Sequence, residues 1–73
     1  MRVLVTGGAG YVGGVSADAL VAAGHDVVVL DDLTTGHETA VPAAARLARG
    51  SYADGEAVER LLRHEQIDAV LHC

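Results

Sequence analysis

Residues 6–13 read TGGAGYVG and directly follow the apolar run VLV at residues 3–5. A short buried-strand pattern thus leads into closely spaced glycines, which open a helix-like segment. This order is typical of a loop that brings bare backbone N–H groups up to a pyrophosphate. A second apolar run, residues 27–30, ends in Asp31, close to the spacing of about 20 residues at which an acidic residue holds an adenosine ribose. Together these patterns predict dinucleotide binding.

Each glycine of this loop has its own expected purpose. The stretch fits both the GxGxxG and the TGxxGxxG pattern. Gly7 permits a sharp exit from the strand, Gly10 leaves room for the pyrophosphate, and Gly13 lets the helix pack close to the strand. The N–H groups near Tyr11 and Val12 then face the anion. Glycines also punctuate ordinary turns, so a purely structural loop is the alternative; the flanking strand and helix and the acidic residue disfavour it.

Asp31 predicts the choice of cofactor as well as its binding. A carboxylate at the end of the second strand accepts hydrogen bonds from the ribose hydroxyls and repels a 2′-phosphate, so NAD is expected rather than NADP. No arginine lies in residues 32–38 to offset that repulsion. Asp32 either shares the task or only repels an incoming phosphate. The alternative for Asp31 is a solvated carboxylate that merely ends a strand.

Length and composition bound the class of protein. Seventy-three residues form one domain at most, and the hydrophobic share of 51% with no Phe or Trp predicts a core of Val, Leu and Ala. The net charge of −5 and a pI near 5.0 argue against nucleic acid or an anionic membrane as the main partner. No signal peptide and no membrane-spanning stretch are apparent, which predicts a cytoplasmic location.

The chain offers little for a metal site or for nucleophilic catalysis. Its four histidines include no closely spaced ligand pair, so no metal site is expected. The lone Cys73 excludes an internal disulfide, and its place on a predicted buried strand favours an inert thiol. Tyr11 is expected to pack beside the cofactor or the substrate entrance rather than act as a catalytic phenol.

Strands alternate with helices along the chain. The patterns predict strands at residues 2–6, 26–31, 46–49 and 67–72 and helices at residues 11–23 and 55–65. In residues 43–50 the alanines favour a helix, and the strand is predicted there because the fold requires one before Gly50. The inner face of the first helix is expected to carry Val12, Val15, Ala19 and Ala22. This order predicts a parallel α/β sheet.

Helix-capping residues and charge pairs indicate where the two helices begin and end and which face is solvated. Gly24 sits where the first helix should stop, and Asp54 is expected to cap the second. The inner face of the second helix should carry Val58, Leu61 and Leu62. Its solvated face should carry Glu/Arg pairs four residues apart, at positions 56/60 and 59/63.

The glycine loop resembles that of the extended short-chain dehydrogenase/reductases, in the branch that modifies nucleotide sugars. Residues 24–33 (GHDVVVLDDL), continued by residues 34–37 (TTGH) and Val41-Pro42, resemble the start of the UDP-glucose 4-epimerase group. Residues 67–72 resemble the fourth strand of that group. The likeness covers the whole chain in order. It implies an NAD cofactor, a UDP-sugar substrate and a homodimer for the intact protein.

The resemblance also implies which residues surround the cofactor. Tyr11 and Val12 would line the pyrophosphate. The residues around the adenosine ribose would be Asp31, Asp32, Leu33, Thr35 and Gly36. Ser51 and Tyr52 would lie beside the adenine, although the family usually has an aspartate at the first of these positions. Ser51 therefore puts the usual carboxylate contact to the adenine amino group in doubt.

The family's catalytic pair is absent from these residues. It consists of Tyr-x-x-x-Lys, and the chain contains no lysine. We therefore expect residues 1–73 to be the amino-terminal part of an NAD-binding Rossmann domain, a doubly wound parallel sheet of which these are the first four strands in the order 3-2-1-4. The alternatives are another nucleotide-sugar epimerase or dehydratase, a non-catalytic NAD-binding module, and an inactive fragment. No catalytic residue is assigned within the chain.

Overall fold

The computed structural model of the chain describes residues 1–7, 10–33, 41–51 and 53–72, and the side chain of Tyr11 is not among the described groups. Its elements, in chain order, are β1 (Arg2–Thr6), α1 (Tyr11–Ala22), β2 (Asp26–Asp31), β3 (Arg46–Arg49), α2 (Gly55–His64) and β4 (Ala69–His72). The predicted bounds of the first three strands are confirmed at both ends. The strand at β3 forms even though the alanines of residues 43–50 favour a helix.

The four strands make one sheet in the order β3-β2-β1-β4, and every neighbouring pair is parallel. The predicted α/β class and strand order are thereby confirmed. β1 lies in the middle, with β2 on one side and β4 on the other. Chain order therefore reverses at β1, and in sheets of this kind the carboxyl ends of the strands at such a point form a crevice for ligands.

Both faces of the sheet are covered. On one face, α1 packs over alternate residues of the two central strands, a cluster that includes Val3, Val5, Val27, Val29 and Ala17. On the other face, α2 packs over the intervening residues, a cluster formed around Leu4, Val28 and Leu30. Burial on both faces explains why the two central strands are continuous runs of Val and Leu rather than alternating patterns.

The predicted inner face of α1 is wrong. Val12 and Val15 are 66% and 56% exposed. The buried positions are Gly13, Gly14 and Ala17 instead. The apolar residues of α1 lie on all sides of the helix, so their periodicity does not predict which face is buried. The face with the smallest side chains is buried because it lets the helix axis come closest to the sheet.

The ends of α1 and α2 follow the predicted signals within one residue. α1 ends one residue early, and Gly24 follows with a φ of 92°, the left-handed conformation that favours glycine. At α2 the carboxylate of Asp54 accepts a hydrogen bond from the backbone N–H of Ala57 at 3.2 Å. Of the two predicted charge pairs, Glu59 and Arg63 form one, at 2.7 Å.

β4 begins at Ala69, two residues later than predicted. Ile67 instead packs beneath α2, against the cluster around Leu4. Asp68 is held by Arg2: the N–H of Asp68 donates to the carbonyl of Arg2 at 2.8 Å, and the N–H of Arg2 donates to the Asp68 carboxylate at 2.8 Å. Residues 67–68 thus attach the end of α2 to the sheet before the ladder starts.

We expect Asp54→Ala to lower the free energy of unfolding by about 1 kcal/mol, because the first turn of α2 loses its side-chain acceptor. The matched control is Glu59→Ala, which removes an exposed ion pair on the same helix and should cost less than about 0.5 kcal/mol. Urea denaturation of the complete gene product measures both. Equal losses for the two variants would contradict a capping role for Asp54.

The outer strand β4 exposes apolar side chains on both faces. Val70 is 53% exposed and Leu71 is 39% exposed, and no described strand pairs with the far side of β4. A polypeptide of these 73 residues is therefore expected to self-associate through this edge. Sedimentation velocity should show oligomers, and Val70→Lys should reduce them. A monomer with a sharp, well-dispersed NMR spectrum would contradict the prediction.

Candidate functional site

The glycine loop joins the carboxyl end of β1 to the amino end of α1. Gly7 has a φ of 73°, a left-handed conformation that favours glycine. Its N–H donates to the carbonyl of Leu30 at 2.8 Å. Gly8 and Ala9 lie outside the described residues. This hydrogen bond connects the loop to the end of β2, where the acidic residue lies.

The N-terminus of α1 has the properties of an anion site. Gly10 is the N-cap residue, and no side chain caps the helix there. The first turn carries no acidic residue. The N–H of Gly14 already donates to the carbonyl of Gly10 at 2.8 Å, so the N–H groups of residues 11–13 are the ones that an incoming group would meet. The backbone N–H groups of a helix's first turn and the helix dipole both favour a phosphate.

The glycine at position 10 is explained by the space that a ligand would need beside it, and its backbone conformation does not require glycine. Its φ of −82° is one that any residue adopts. A Cβ added there would meet the backbone oxygen of Gly7 at 3.5 Å, which is ordinary contact. Among the described residues, a Cβ at this position therefore meets no clash. The missing side chain keeps the approach to the helix N-terminus open, as a pyrophosphate site requires.

Asp31 lies at the end of β2 on the same edge of the sheet. Its Oδ1 accepts a hydrogen bond from the N–H of Leu33 at 2.8 Å. Leu33 has a φ of 61°, a left-handed conformation that is uncommon for leucine. The Asp31 carboxylate therefore holds the chain in a turn as it leaves the sheet. Asp32 follows at an exposed position.

Ser51 comes to the same edge from β3. The N–H of Gly50 donates to the carbonyl of Asp31 at 3.0 Å, which brings the chain at Ser51 alongside the end of β2. The Ser51 hydroxyl accepts a hydrogen bond from the N–H of Ala53 at 3.1 Å, and its carbonyl accepts one from the N–H of Asp54 at 3.1 Å. Ser51 thus shapes the turn into α2 at the predicted adenine position.

The remaining predicted site residues divide into two groups. Gly13 is buried in α1 where it faces the sheet, and Val12 is exposed next to it. Thr35, Gly36 and Tyr52 lie outside the described residues, and their predicted contacts stay predictions.

Sequence reasoning missed a polar contact between β1 and β4, where the strand order reverses. Oγ1 of Thr6 lies 2.6 Å from Nδ1 of His72, a hydrogen bond between the carboxyl ends of the two strands. Thr6 is 3% exposed, so this contact satisfies a buried hydroxyl. The register pairs these two residues, and the predicted strand order would have placed them side by side.

Two absences are findings for the described ranges alone. No group of three or more His, Cys, Asp or Glu side chains there is arranged to hold a metal ion. None of the helices in those ranges has both the length and the apolar character needed to cross a membrane.

Comparison with known proteins decides the family. The family described as the NAD dependent epimerase/dehydratase family matches residues 3–73. The chain belongs to this family. Among curated members, the UDP-glucose 4-epimerase of Lactobacillus helveticus is 50% identical over 72 residues, which cover 99% of this chain and 22% of that protein. The UDP-glucose 4-epimerase of Corynebacterium glutamicum is 49% identical over 72 residues, covering 99% of this chain and 21% of that protein.

Solved members of the epimerase/dehydratase family share the fold. UDP-glucose 4-epimerase from Thermus thermophilus, in complex with NAD, superposes with a TM-score of 0.91 at 44% identity and covers 99% of this chain and 23% of that one. The Thermotoga maritima enzyme with UDP-glucose gives a TM-score of 0.94 at 34% identity, covering 100% of this chain and 24% of that one. This chain therefore has the Rossmann-type architecture of the family and spans about a fifth to a quarter of the length of these four relatives.

Proposed function

We propose that this chain is the NAD-binding portion of a UDP-glucose 4-epimerase, which interconverts UDP-glucose and UDP-galactose through a transient 4-keto sugar. The observation that carries the proposal is the open N-terminus of α1, joined to the end of β2 by the hydrogen bond from Gly7 to Leu30. A phosphate bound at this helix end would lie beside the carboxylate of Asp31, which is the arrangement that a dinucleotide needs.

The residues present fit NAD. The bare Cα of Gly10 leaves the space that a pyrophosphate would occupy, and the N–H groups of Tyr11 and Val12 would donate to it. Asp31 would accept hydrogen bonds from the adenosine ribose. Bound NAD supplies reversible hydride acceptance, and the chain's own residues bind and orient it. The other proposed contacts come from Gly7, Gly13, Asp32, Leu33, Thr35, Gly36, Ser51 and Tyr52.

Ser51 has a different part from the carboxylate that the resemblance leads one to expect. Its hydroxyl accepts from Ala53 and so can also donate its own hydrogen, toward a ring nitrogen of the adenine. It cannot attract the adenine amino group as strongly as a carboxylate, because a charged acceptor forms the stronger hydrogen bond. The adenine end should therefore depend more on packing in this protein.

The names of the relatives support the proposed substrate. Curated relatives at 49–50% identity carry the name UDP-glucose 4-epimerase, so a UDP-sugar is the proposed substrate. The catalytic Tyr-x-x-x-Lys pair would come from chain outside these 73 residues, which contain no lysine. The proposal includes a homodimer in the cytoplasm, with neither nucleic acid nor membrane as a partner.

The complete gene product tests the proposal. We expect it to bind NAD in calorimetry and to convert UDP-galactose to UDP-glucose, followed by chromatography of the sugar nucleotides. NAD binding with turnover of a different nucleotide sugar would favour another epimerase or a dehydratase of the family. NAD binding without turnover of any nucleotide sugar would favour a non-catalytic module. No NAD binding would overturn the proposal.

A further inference from the structure

Arg49 lies beside Asp31 at the carboxyl edge of the sheet. β2 and β3 are parallel, and their register pairs Asp31 with Arg49. Paired residues of parallel strands project their side chains to the same face. That face is the one covered by α1, because Val29 and Leu47, two residues earlier on each strand, both belong to the cluster beneath that helix. Asp31, Arg49 and the glycine-loop helix therefore share one side of the sheet.

Arg49 is the basic residue suited to this edge. Residues 32–45 contain neither lysine nor arginine. Arg46, at the other end of β3, lies on the opposite face and pairs with Glu65 at 2.5 Å. Arg49 is exposed, and no ion pair to it is found in the parts of the chain that the structure describes. Its guanidinium is thus available to a bound anion.

We propose that Arg49 is a second determinant of cofactor choice, one that attracts the 2′-phosphate of NADP which Asp31 repels. The inference rests on the proposed NAD site. Neighbouring strands lie about 4.8 Å apart, so the long side chain of Arg49 covers the distance to a group on the ribose held beside Asp31. A guanidinium matches phosphate oxygens with two parallel N–H donors. NAD lacks the phosphate and gains nothing from this contact.

Because the two charges oppose each other, the discrimination against NADP is smaller than a lone carboxylate would produce. We expect Arg49→Ala to weaken NADP binding about fivefold, the size of a surface charge pair, while NAD binding changes less than about twofold. Arg49→Lys keeps the charge but loses the two parallel donors, so its NADP affinity should lie between those of the unmodified protein and Arg49→Ala. The contribution should shrink at high salt, since the site is open to solvent.

The test compares dissociation constants for NAD and NADP in the complete gene product, with folding of each variant checked by circular dichroism. The matched control is Arg60→Ala, an exposed arginine of α2 that lies over the opposite face of the sheet and should change neither constant. The same pair of variants is measured in an Asp31→Ala background, where NADP binding is strong enough to quantify. There too, losing Arg49 should cost NADP affinity selectively.

Equal loss of NAD and NADP affinity in Arg49→Ala would overturn the inference, because it would indicate a structural role. So would a matching effect of Arg60→Ala, which would indicate general electrostatic attraction. If the unmodified protein bound no NAD, the proposed function itself would fail. If NAD bound and NADP binding did not depend on Arg49 in either background, the inference alone would fail.

Discussion

Gly10→Val is expected to weaken NAD binding at least about 100-fold, which corresponds to about 2.7 kcal/mol. The branched side chain would fill the approach to the N–H groups of residues 11–13, where the pyrophosphate is proposed to lie. The effect is steric, because the valine side chain would exclude the ligand from its site. The φ of Gly10 suits any residue, and an added Cβ would be in ordinary contact, at 3.5 Å, with the backbone oxygen of Gly7.

A second substitution separates lost space from a damaged helix end. Valine is a poor N-cap residue, so Gly10→Val also costs some stability in α1. Serine is a better N-cap than glycine and still adds a side chain to the same space. Gly10→Ser should therefore keep or raise the free energy of unfolding while weakening NAD binding. A helix-end effect would make the two quantities move together.

The control for any glycine substitution near a helix start is Gly55→Ala. Gly55 is the first residue of α2, and a Cβ there would have nothing within 4 Å. It should leave NAD affinity unchanged. Isothermal titration calorimetry on the complete gene product measures all three variants. Undiminished affinity in Gly10→Val would remove the glycine loop from the cofactor site.

The strands of this fold were predictable because several levels of the sequence agree. β1 and β2 are bounded by a polar residue at each end and are filled with Val and Leu. β3 shows the opposite case, since its local composition favours a helix. Only the requirement for another parallel strand predicted it, and its pairing with β2 supplies the hydrogen bonds that override local preference.

The errors came from contacts that no local pattern encodes. α1 is apolar on several sides, so its buried face depends on which side chains let it approach the sheet. β4 starts late because Asp68 is held by Arg2, a partner 66 residues away along the chain. Such long-range pairs are set by the register of the sheet.

The candidate site divides in the same way. The glycines and Asp31 form a motif with fixed spacing, and the sequence alone correctly placed Gly7 directly after β1 and Asp31 at the end of β2. Arg49 and His72 reach the same edge on strands that are distant in sequence. Strand order and register, taken together, would have found both. A search for a compensating positive charge that was limited to the loop after β2 could not find Arg49, because Arg49 lies on β3.

Asp31→Ala is expected to weaken NAD binding about 10-fold or more and to shift the preference toward NADP. A hydrogen bond to a charged group contributes about 1.5–3 kcal/mol, so losing the carboxylate removes that much from the ribose contact. The same change removes the charge that repels a 2′-phosphate, and NADP binding should therefore strengthen. The ratio of the two dissociation constants, measured by calorimetry, reports the shift.

Asp31→Asn separates the charge from the turn. The carboxylate also accepts from the N–H of Leu33 and holds it at a φ of 61°, so alanine loosens the chain as well as removing the charge. Asparagine keeps an oxygen for that hydrogen bond and carries no charge. If repulsion sets the preference, Asp31→Asn should relax it as far as alanine does. Asp32→Ala is the neighbouring control. It should relax the preference for NAD less, because Asp32 lies one residue beyond the end of β2. An unchanged ratio in both Asp31 variants would assign this carboxylate to the turn alone and would leave the ribose without its proposed partner.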